Sequence, residues 1–161
     1  MKTIIIYSTK TGTTKKCANI LAQNLKNAAT ANINTIQNED IQKYDLIIIG
    51  TPIRIGLIDK KIKNFILKNQ KILKTKKTAY YICCAFNENW KQYFEQNIPK
   101  EILENAITYN TFGGELNIEK QKGIDKLICK IVTKNMDKTR QIKILNENIQ
   151  NFINICKNSN K

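Results

Sequence analysis

The 161-residue sequence contains no histidine, and only two of its 27 basic residues, Arg54 and Arg140, are arginines. Histidine is the most common general base and a frequent zinc ligand, so its absence argues against both kinds of site. The five cysteines include no Cys-x-x-Cys pair and are expected to be reduced and mostly buried. We therefore expect no metal site. Nor does any apolar run approach the roughly 20 residues that span a bilayer.

The chain carries a formal net charge of +14 at pH 7. Lysine, isoleucine and asparagine are all abundant, which fits a low-GC coding bias as well as a functional basic surface. A functional basic surface would suit an acidic protein, an anionic small molecule or an anionic membrane. No basic helix with interleaved aromatic residues is evident, so nucleic acid is not expected as a partner.

The amino terminus leads directly into an apolar β-branched run rather than into a signal-peptide core, which favours a cytoplasmic location. The length suits a single domain over residues 1–161. Apolar runs typical of strands lie at residues 3–7, 31–36, 44–50, 77–85 and 107–112.

Segments with helical periodicity alternate with these runs. Thr13 or Thr14 is expected to cap the first helix. Later helices are predicted around residues 58–66, 99–105, 124–132 and 142–156. The alternation predicts an α/β fold, with a doubly wound five-stranded parallel sheet and helices on both faces. Ligands of such sheets bind beyond the carboxyl ends of the strands, which directs attention to loops 8–14, 51–56, 85–93 and 113–120.

The first of these loops is rich in hydroxyl groups. It reads Ser8-Thr9-Lys10-Thr11-Gly12-Thr13-Thr14. Hydroxyls can donate to phosphate oxygens, the glycine lets the backbone approach closely, and the helix N-terminus adds free N–H groups and a positive dipole end. The loop matches neither the P-loop motif nor the dinucleotide glycine motif. The alternative interpretation is a threonine-rich turn with a helix cap.

The loop, its strand and its helix share one longer pattern. It reads Ile5-Ile6-Tyr7-x-Thr9-x-x-Gly12-x-Thr14-x-x-x-Ala18-x-x-Leu21. This pattern resembles the signature of the flavodoxin family. The resemblance implies a flavodoxin-like fold that binds FMN, with the phosphate in this loop and the isoalloxazine ring held by the loops after the third and fourth strands. The basic composition and the lack of a tryptophan in residues 51–56 depart from most flavodoxins.

Two further tracts have distinctive patterns. They read Tyr44-Asp45-x-x-Ile48-Ile49-Gly50-x-x-Ile53-Arg54-x-Gly56, and Asp125-Lys126-Leu127-Ile128-Cys129-Lys130-Ile131 followed by Thr139-Arg140. Both resemble the menaquinone-dependent protoporphyrinogen oxidase branch of the flavodoxin superfamily. That resemblance implies an FMN-dependent oxidoreductase that passes electrons from a tetrapyrrole to a quinone-type acceptor. Residues 87–99 are unlike this branch, so the substrate stays open.

Arg54 is the candidate catalytic residue. Its guanidinium could stabilise a reduced, anionic flavin or clamp a substrate carboxylate with two hydrogen bonds. The alternative is a surface arginine that pairs with Asp59 or with solvent. Gly56 either brings the backbone close to flavin N5 or serves as a turn glycine. Gly113 and Gly114 are expected to leave room for the ribityl chain or the ring.

The cofactor-binding candidates come from four loops at the same end of the predicted sheet. They are Ser8, Thr9, Lys10, Thr11, Gly12, Thr13, Thr14, Thr51, Pro52, Ile53, Arg54, Ile55, Gly56, Ala85, Phe86, Asn87, Trp90, Gly113 and Gly114.

The aromatic residues after the fourth strand and the apolar stripe near residue 128 each allow two interpretations. Phe86, Trp90, Tyr93 and Phe94 could cover the flavin ring or a planar substrate by stacking, but Trp90, Tyr93 and Phe94 fit the core face of a helix equally well. The apolar stripe of residues 124–132, flanked by lysines, either packs on the sheet or rests on an anionic membrane. A peripheral membrane contact therefore stands beside the cytoplasmic location.

Three functions fit the sequence. The first is an FMN-dependent oxidoreductase of the kind just described, with a small-molecule substrate and a quinone or redox-protein acceptor. The second is a non-catalytic electron carrier that docks on an acidic redox partner through its lysines. The third is a flavin-free binding domain that kept the fold. The oligomeric state is open.

Overall fold

Five parallel strands and one short antiparallel strand form the sheet of the computed structural model, which describes residues 1–36, 41–115 and 142–159. The strands are β1 (Thr3–Tyr7), β2 (Ala28–Asn32), β3 (Leu46–Arg54), β4 (Leu57–Ile58), β5 (Lys77–Cys83) and β6 (Ala106–Thr111). The parallel strands lie in the order β2-β1-β3-β5-β6, and β4 pairs only with β3. The predicted parallel sheet of five strands is confirmed.

Helices cover both faces of the sheet. Those in the described residues are α1 (Thr13–Asn24), α2 (Lys60–Lys68), α3 (Gln70–Leu73), α4 (Trp90–Asn97), α5 (Lys100–Glu104) and α6 (Asn146–Asn158), with a 3-10 turn at Ile41–Lys43. Apolar residues of α1 and α6 pack on one face, and those of α2, α4 and α5 pack on the other. The fold is therefore doubly wound, as the alternation of strands and helices predicts.

The central strands are apolar on both faces because helices cover them on both sides. Ile4 and Ile6 of β1 enter one core, whereas Ile5 and Tyr7 enter the other. All five residues of β1 are buried. This double burial explains why the β1 sequence is a continuous apolar run rather than an alternating one.

The strand order reverses direction between β1 and β3. The chain moves from β1 outward to β2, then returns past β1 to β3 and continues to β5 and β6. Tyr7 and Gly50 are register partners near the carboxyl ends of the two strands. A crevice at such a reversal is where doubly wound sheets bind their ligands.

The prediction for the second strand was wrong in its position. We expected residues 31–36, but β2 covers Ala28–Asn32. Every residue of β2 is at least partly exposed, so the strand lacks a strong apolar signal. Ile33 and Ile36, which suggested the strand, follow its end and pack against the core.

Three local predictions were also wrong. Residues 51–56 were expected to form a loop, but β3 continues through them to Arg54 and only two residues turn. The residue that caps α1 is Gly12 rather than Thr13 or Thr14, and no side chain caps the helix. The helix predicted to start at residue 99 begins one residue later, at Lys100, and Pro99 occupies the capping position before it.

Several sequence predictions lie outside the described residues. These are the end of the loop at 116–120, the basic helix at 124–132 with its flanking lysines, and the pair Thr139-Arg140.

Candidate functional site

The loop between β1 and α1 is held open by a glycine in the left-handed conformation. Gly12 has φ 100°, and its N–H donates to Thr9 Oγ1 over 3.1 Å. A Cβ added at Gly12 would have nothing within 4 Å, so space rather than protein lies beside the turn. Because no side chain caps α1, its first N–H groups keep their capacity to bind a ligand.

Hydroxyl groups line the base of this loop. Ser8, Thr13 and Thr14 are buried, Thr9 and Thr11 are half-buried, and Lys10 is exposed. Ser8 Oγ lies 3.4 Å from Thr51 Oγ1, and the Ser8 N–H donates to the Gly50 carbonyl over 3.1 Å. The loop is thereby attached to β3, and the first two candidate loops are brought together.

A buried tyrosine supports the loop from below. Tyr81 Oη donates to the Thr14 carbonyl over 3.0 Å, and the Tyr81 ring stacks on Phe112 at 4.6 Å between centroids. Gly50 provides the space, because a Cβ there would lie 2.0 Å from the Tyr81 ring. Burial raises the pKa of Tyr81 well above its ordinary value, so the hydroxyl keeps its proton. Sequence reasoning missed this support, which joins residues far apart in the chain.

The first turn of α1 has an unusual charge pattern. It contains Lys15 and Lys16 and no acidic residue, although the N-terminal end of a helix dipole disfavours cations. The missing negative charge comes from another loop. Glu115 accepts a hydrogen bond from Thr13 Oγ1 at 3.4 Å and pairs with Lys16 Nζ at 2.8 Å. The hydrogen bond and charge of Glu115 raise the pKa of Lys16.

The second candidate loop is a tight β-hairpin. Ile53 pairs with Ile58 and Arg54 with Leu57, which leaves Ile55-Gly56 as a two-residue turn. Their φ angles of 50° and 74° are those of a type I′ turn. A β-branched residue rarely adopts a positive φ, and the Ile55 side chain is 82% exposed. Strain of this kind concentrates at ligand sites and switch regions.

One buried amide holds the hairpin in place. Asn97 Nδ2 donates to the Gly56 carbonyl over 2.8 Å, and the Ile58 N–H donates to Asn97 Oδ1 over 3.2 Å. Asn97 is 5% exposed, so these bonds are shielded from water. They fix the position of the turn relative to α4. Sequence reasoning missed Asn97, because nothing local marks an asparagine whose partners lie about 40 residues away.

Arg54 ends β3 at this hairpin and is half-buried. Asp59, its suggested partner, caps α2 by accepting a hydrogen bond from the Lys61 N–H at 2.8 Å. The Asp59 N–H in turn donates to Thr51 Oγ1 over 3.1 Å. Pro52 and Ile53 are half-buried within β3. Thr51 therefore contacts two parts of the site: the Asp59 N–H at the end of the hairpin, and Ser8 of the first loop.

The third candidate loop separates into two parts. Ala85, Phe86 and Asn87 are half-buried after β5. Trp90 begins α4 and packs edge-on against Phe94 and Tyr109, at 6.0 and 6.1 Å between ring centroids. These contacts favour the core-face interpretation of Trp90, and a role toward a cofactor stays a prediction.

The two glycines after β6 have structural reasons of their own. A Cβ on Gly113 would lie 2.2 Å from the Lys143 carbonyl oxygen, and Gly113 has φ 69°. A Cβ on Gly114 would lie 2.9 Å from the backbone of Cys84. The glycines therefore let three backbone segments meet at the site. Space for a ribityl chain or ring remains a prediction.

Three cysteines near the site, Cys17, Cys83 and Cys84, are buried. Cys17 and Cys83 are buried with their sulfurs 3.8 Å apart. The neighbouring Cys17 thiol and burial raise the pKa of Cys83, and burial raises the pKa of Cys84. Thiols protected in this way are poor nucleophiles.

The doubly wound sheet, the hydroxyl-rich loop after β1 and the uncapped start of α1 are together those of a flavodoxin-like α/β protein. The chain belongs to the flavodoxin domain family, whose model matches residues 4–143. Within the described residues, every helix is too short or too polar to cross a bilayer.

Comparison with known proteins gives relatives in sequence and in structure, three of which are described next. Over 85 residues the chain is 34% identical to protoporphyrinogen IX dehydrogenase (quinone) of Escherichia coli strain K12, a match that covers 50% of this chain and 47% of that protein. The chain therefore matches about half the length of this curated relative. A flavodoxin from Streptococcus pneumonia TIGR4 superposes with a TM-score of 0.59 at 12% identity and 99% coverage of both chains. A Lactobacillus acidophilus NCFM flavoprotein, solved with FMN, has a TM-score of 0.53 at 18% identity, covering 68% of this chain and 92% of that one. These two structures support the fold.

The described residues fit a phosphate group. The Glu115 carboxylate contacts the Thr13 hydroxyl and the Lys16 ammonium at the start of α1. The space beside Gly12 and the uncapped start of α1 add room and N–H donors. Hydroxyl, ammonium and free N–H groups are donors suited to an anion.

Proposed function

We propose that the chain binds FMN at the Ser8–Thr14 loop and is an oxidoreductase. Its proposed substrate is a tetrapyrrole such as protoporphyrinogen, and its proposed acceptor is a quinone. The observation that carries the cofactor assignment is the anion-accepting start of α1, where hydroxyls, lysines and an uncapped helix converge. Membership of the flavodoxin domain family and the FMN in the Lactobacillus relative support the same assignment.

The protein's part in this reaction is to bind and to orient. When bound, FMN supplies the capacity to accept a hydride and release electrons to a second molecule. The Ser8–Thr14 loop would hold the phosphate, with Tyr81 keeping the loop in position through Thr14. The Ile55-Gly56 turn, held by Asn97, would present a fixed backbone edge to the ring.

Arg54 is the residue proposed to act on the reacting groups. Arg54 lies in the hairpin whose end is hydrogen-bonded to Thr51. Thr51 also contacts Ser8, so the hairpin and the phosphate loop are connected through this residue. Its guanidinium would hold a substrate carboxylate, such as a tetrapyrrole propionate, or stabilise negative charge on the reduced ring. The sequence match to the E. coli protoporphyrinogen IX dehydrogenase supports the tetrapyrrole as substrate.

The alternative is a non-catalytic electron carrier. The hairpin places two apolar side chains in solvent, Ile55 and Leu57, which are 82% and 61% exposed. The whole chain has a net charge of +14. An apolar tip on a basic protein suits transient docking on an acidic redox protein.

Turnover separates the two functions and tests Arg54 at the same time. The FMN-loaded protein is mixed with protoporphyrinogen and a quinone analogue, and porphyrin fluorescence is followed. The enzyme proposal predicts catalytic turnover that falls at least tenfold in Arg54→Ala and recovers in part in Arg54→Lys, which keeps the charge but not the bidentate geometry. Arg54→Ala with unchanged turnover and unchanged reduction potential would overturn the role of Arg54. No turnover, together with fast, salt-sensitive electron transfer to a ferredoxin-like protein, would favour the carrier.

Location and membrane contact remain proposals. A cytoplasmic protein with a net charge of +14 that rests on an anionic membrane would be placed close to a quinone pool. Co-sedimentation with vesicles that contain anionic lipid, compared with neutral vesicles, tests the contact.

A further inference from the structure

Glu115 contacts side chains at the start of α1, where the proposed function places a phosphate. Its carboxylate lies 3.4 Å from Thr13 Oγ1 and 2.8 Å from Lys16 Nζ, both in the first turn of α1. Glu115 follows Gly114 in the segment after the carboxyl end of the edge strand β6. The Glu115 carboxylate and a phosphate bound at this position would therefore compete for the Thr13 hydroxyl and the Lys16 ammonium.

The contact can be broken without disturbing the fold. The backbone before Glu115 is anchored, because the Gly114 N–H donates to the Lys143 carbonyl over 3.2 Å and Gly114 packs against Cys84. The Glu115 and Lys16 side chains are 42% and 57% exposed. An ion pair this accessible to water is weak, so the carboxylate can turn away while its backbone stays in place.

We propose that Glu115 is a built-in competitor of the cofactor phosphate, an inference that rests on the proposed function. In the cofactor-free chain its carboxylate neutralises Lys16 and occupies the Thr13 hydroxyl. A phosphate monoester that binds there displaces it, and the retained negative charge nearby opposes the incoming anion. Glu115 thus lowers the affinity for FMN and leaves the affinity for riboflavin, which has no phosphate, unchanged.

The matched control is another exposed glutamate with a lysine partner. Glu101 pairs with Lys74, and its helix α5 packs on the opposite face of the sheet from α1. Glu101→Gln and Glu115→Gln change the net charge equally, but only Glu115→Gln removes the carboxylate beside the loop. Any general effect of net charge on an anionic ligand appears in both variants.

The experiment titrates wild type, Glu115→Gln and Glu101→Gln with FMN and with riboflavin, using flavin fluorescence. We expect Glu115→Gln to bind FMN roughly tenfold more tightly, as the loss of a nearby like charge predicts. Riboflavin binding should change less than twofold, and Glu101→Gln should match wild type with both ligands. Circular dichroism checks that all three proteins are folded.

Each other outcome overturns the inference. Unchanged or weaker FMN binding in Glu115→Gln would show that the carboxylate does not compete. Equal tightening for FMN and riboflavin, or in Glu101→Gln as well, would remove the phosphate from the explanation. If wild type binds FMN but Glu115 has no effect, the inference alone fails. If none of the folded proteins binds either flavin, the proposed function fails and the inference fails with it.

Discussion

At the scale of single residues, the candidate site depends on a hydrogen bond that begins in the core. Tyr81 reaches from β5 to the Thr14 carbonyl, and Gly50 makes room for its ring. Neither residue touches solvent, so their effect on the loop is purely one of position. A side chain buried beneath a binding loop can therefore matter as much as one that lines it.

Removal of that hydroxyl should destabilise the protein. We expect Tyr81→Phe to lower the free energy of unfolding by about 1 kcal/mol, the usual contribution of a buried hydrogen bond. The neighbouring Tyr80 is the control, because its buried hydroxyl has no hydrogen-bond partner in the part of the chain that the structure describes. Tyr80→Phe should cost nothing or stabilise slightly. Urea denaturation of both variants measures the difference, and equal losses would contradict the role given to Tyr81.

The sequence predicts some of these residues and not others. The Ser8–Thr14 loop could be recognised because its pattern is local and contiguous with a strand and a helix. Glu115 could not, because its partners Thr13 and Lys16 lie about 100 residues earlier in the chain. Only the topology of the sheet brings such residues together.

At the scale of elements, the β3–β4 hairpin is the least regular part of the site. Its turn places isoleucine in a left-handed conformation, and its backbone is held by Asn97 rather than by further strand pairing. The sequence predicted a plain loop here, since a two-residue strand gives almost no pattern. The same limit explains β2, whose exposed edge position leaves its alternation weak.

Loss of the Asn97 amide should loosen the hairpin specifically. Asn97→Ala leaves the Gly56 carbonyl and the Ile58 N–H without their buried partner, which should cost about 2 kcal/mol of stability. Amide exchange at Ile58 should accelerate more than exchange in β1 or β3. Asn105→Ala is the control, because Asn105 also donates to backbone carbonyls, those of Leu73 and Lys74, but away from the hairpin. Ile58 exchange that is equally fast in both variants would count against the clamp.

At the scale of the whole molecule, the sheet sets where chemistry can occur. Continuous apolar runs predicted β1, β3 and β5 because helices bury both faces of a parallel sheet. The strand order then places the loop after β1 beside the final residues of β3, where Ser8 contacts Thr51. The fold class therefore followed from the sequence, whereas the contacts that shape the candidate site did not.

The central claim is that this fold carries FMN in the Ser8–Thr14 loop. Its most direct test is the visible spectrum of the purified protein, together with mass spectrometry of the extracted cofactor and titration of cofactor-free protein with FMN. We predict a yellow protein that binds one FMN per chain. A folded, colourless protein that takes up no FMN on titration would contradict it.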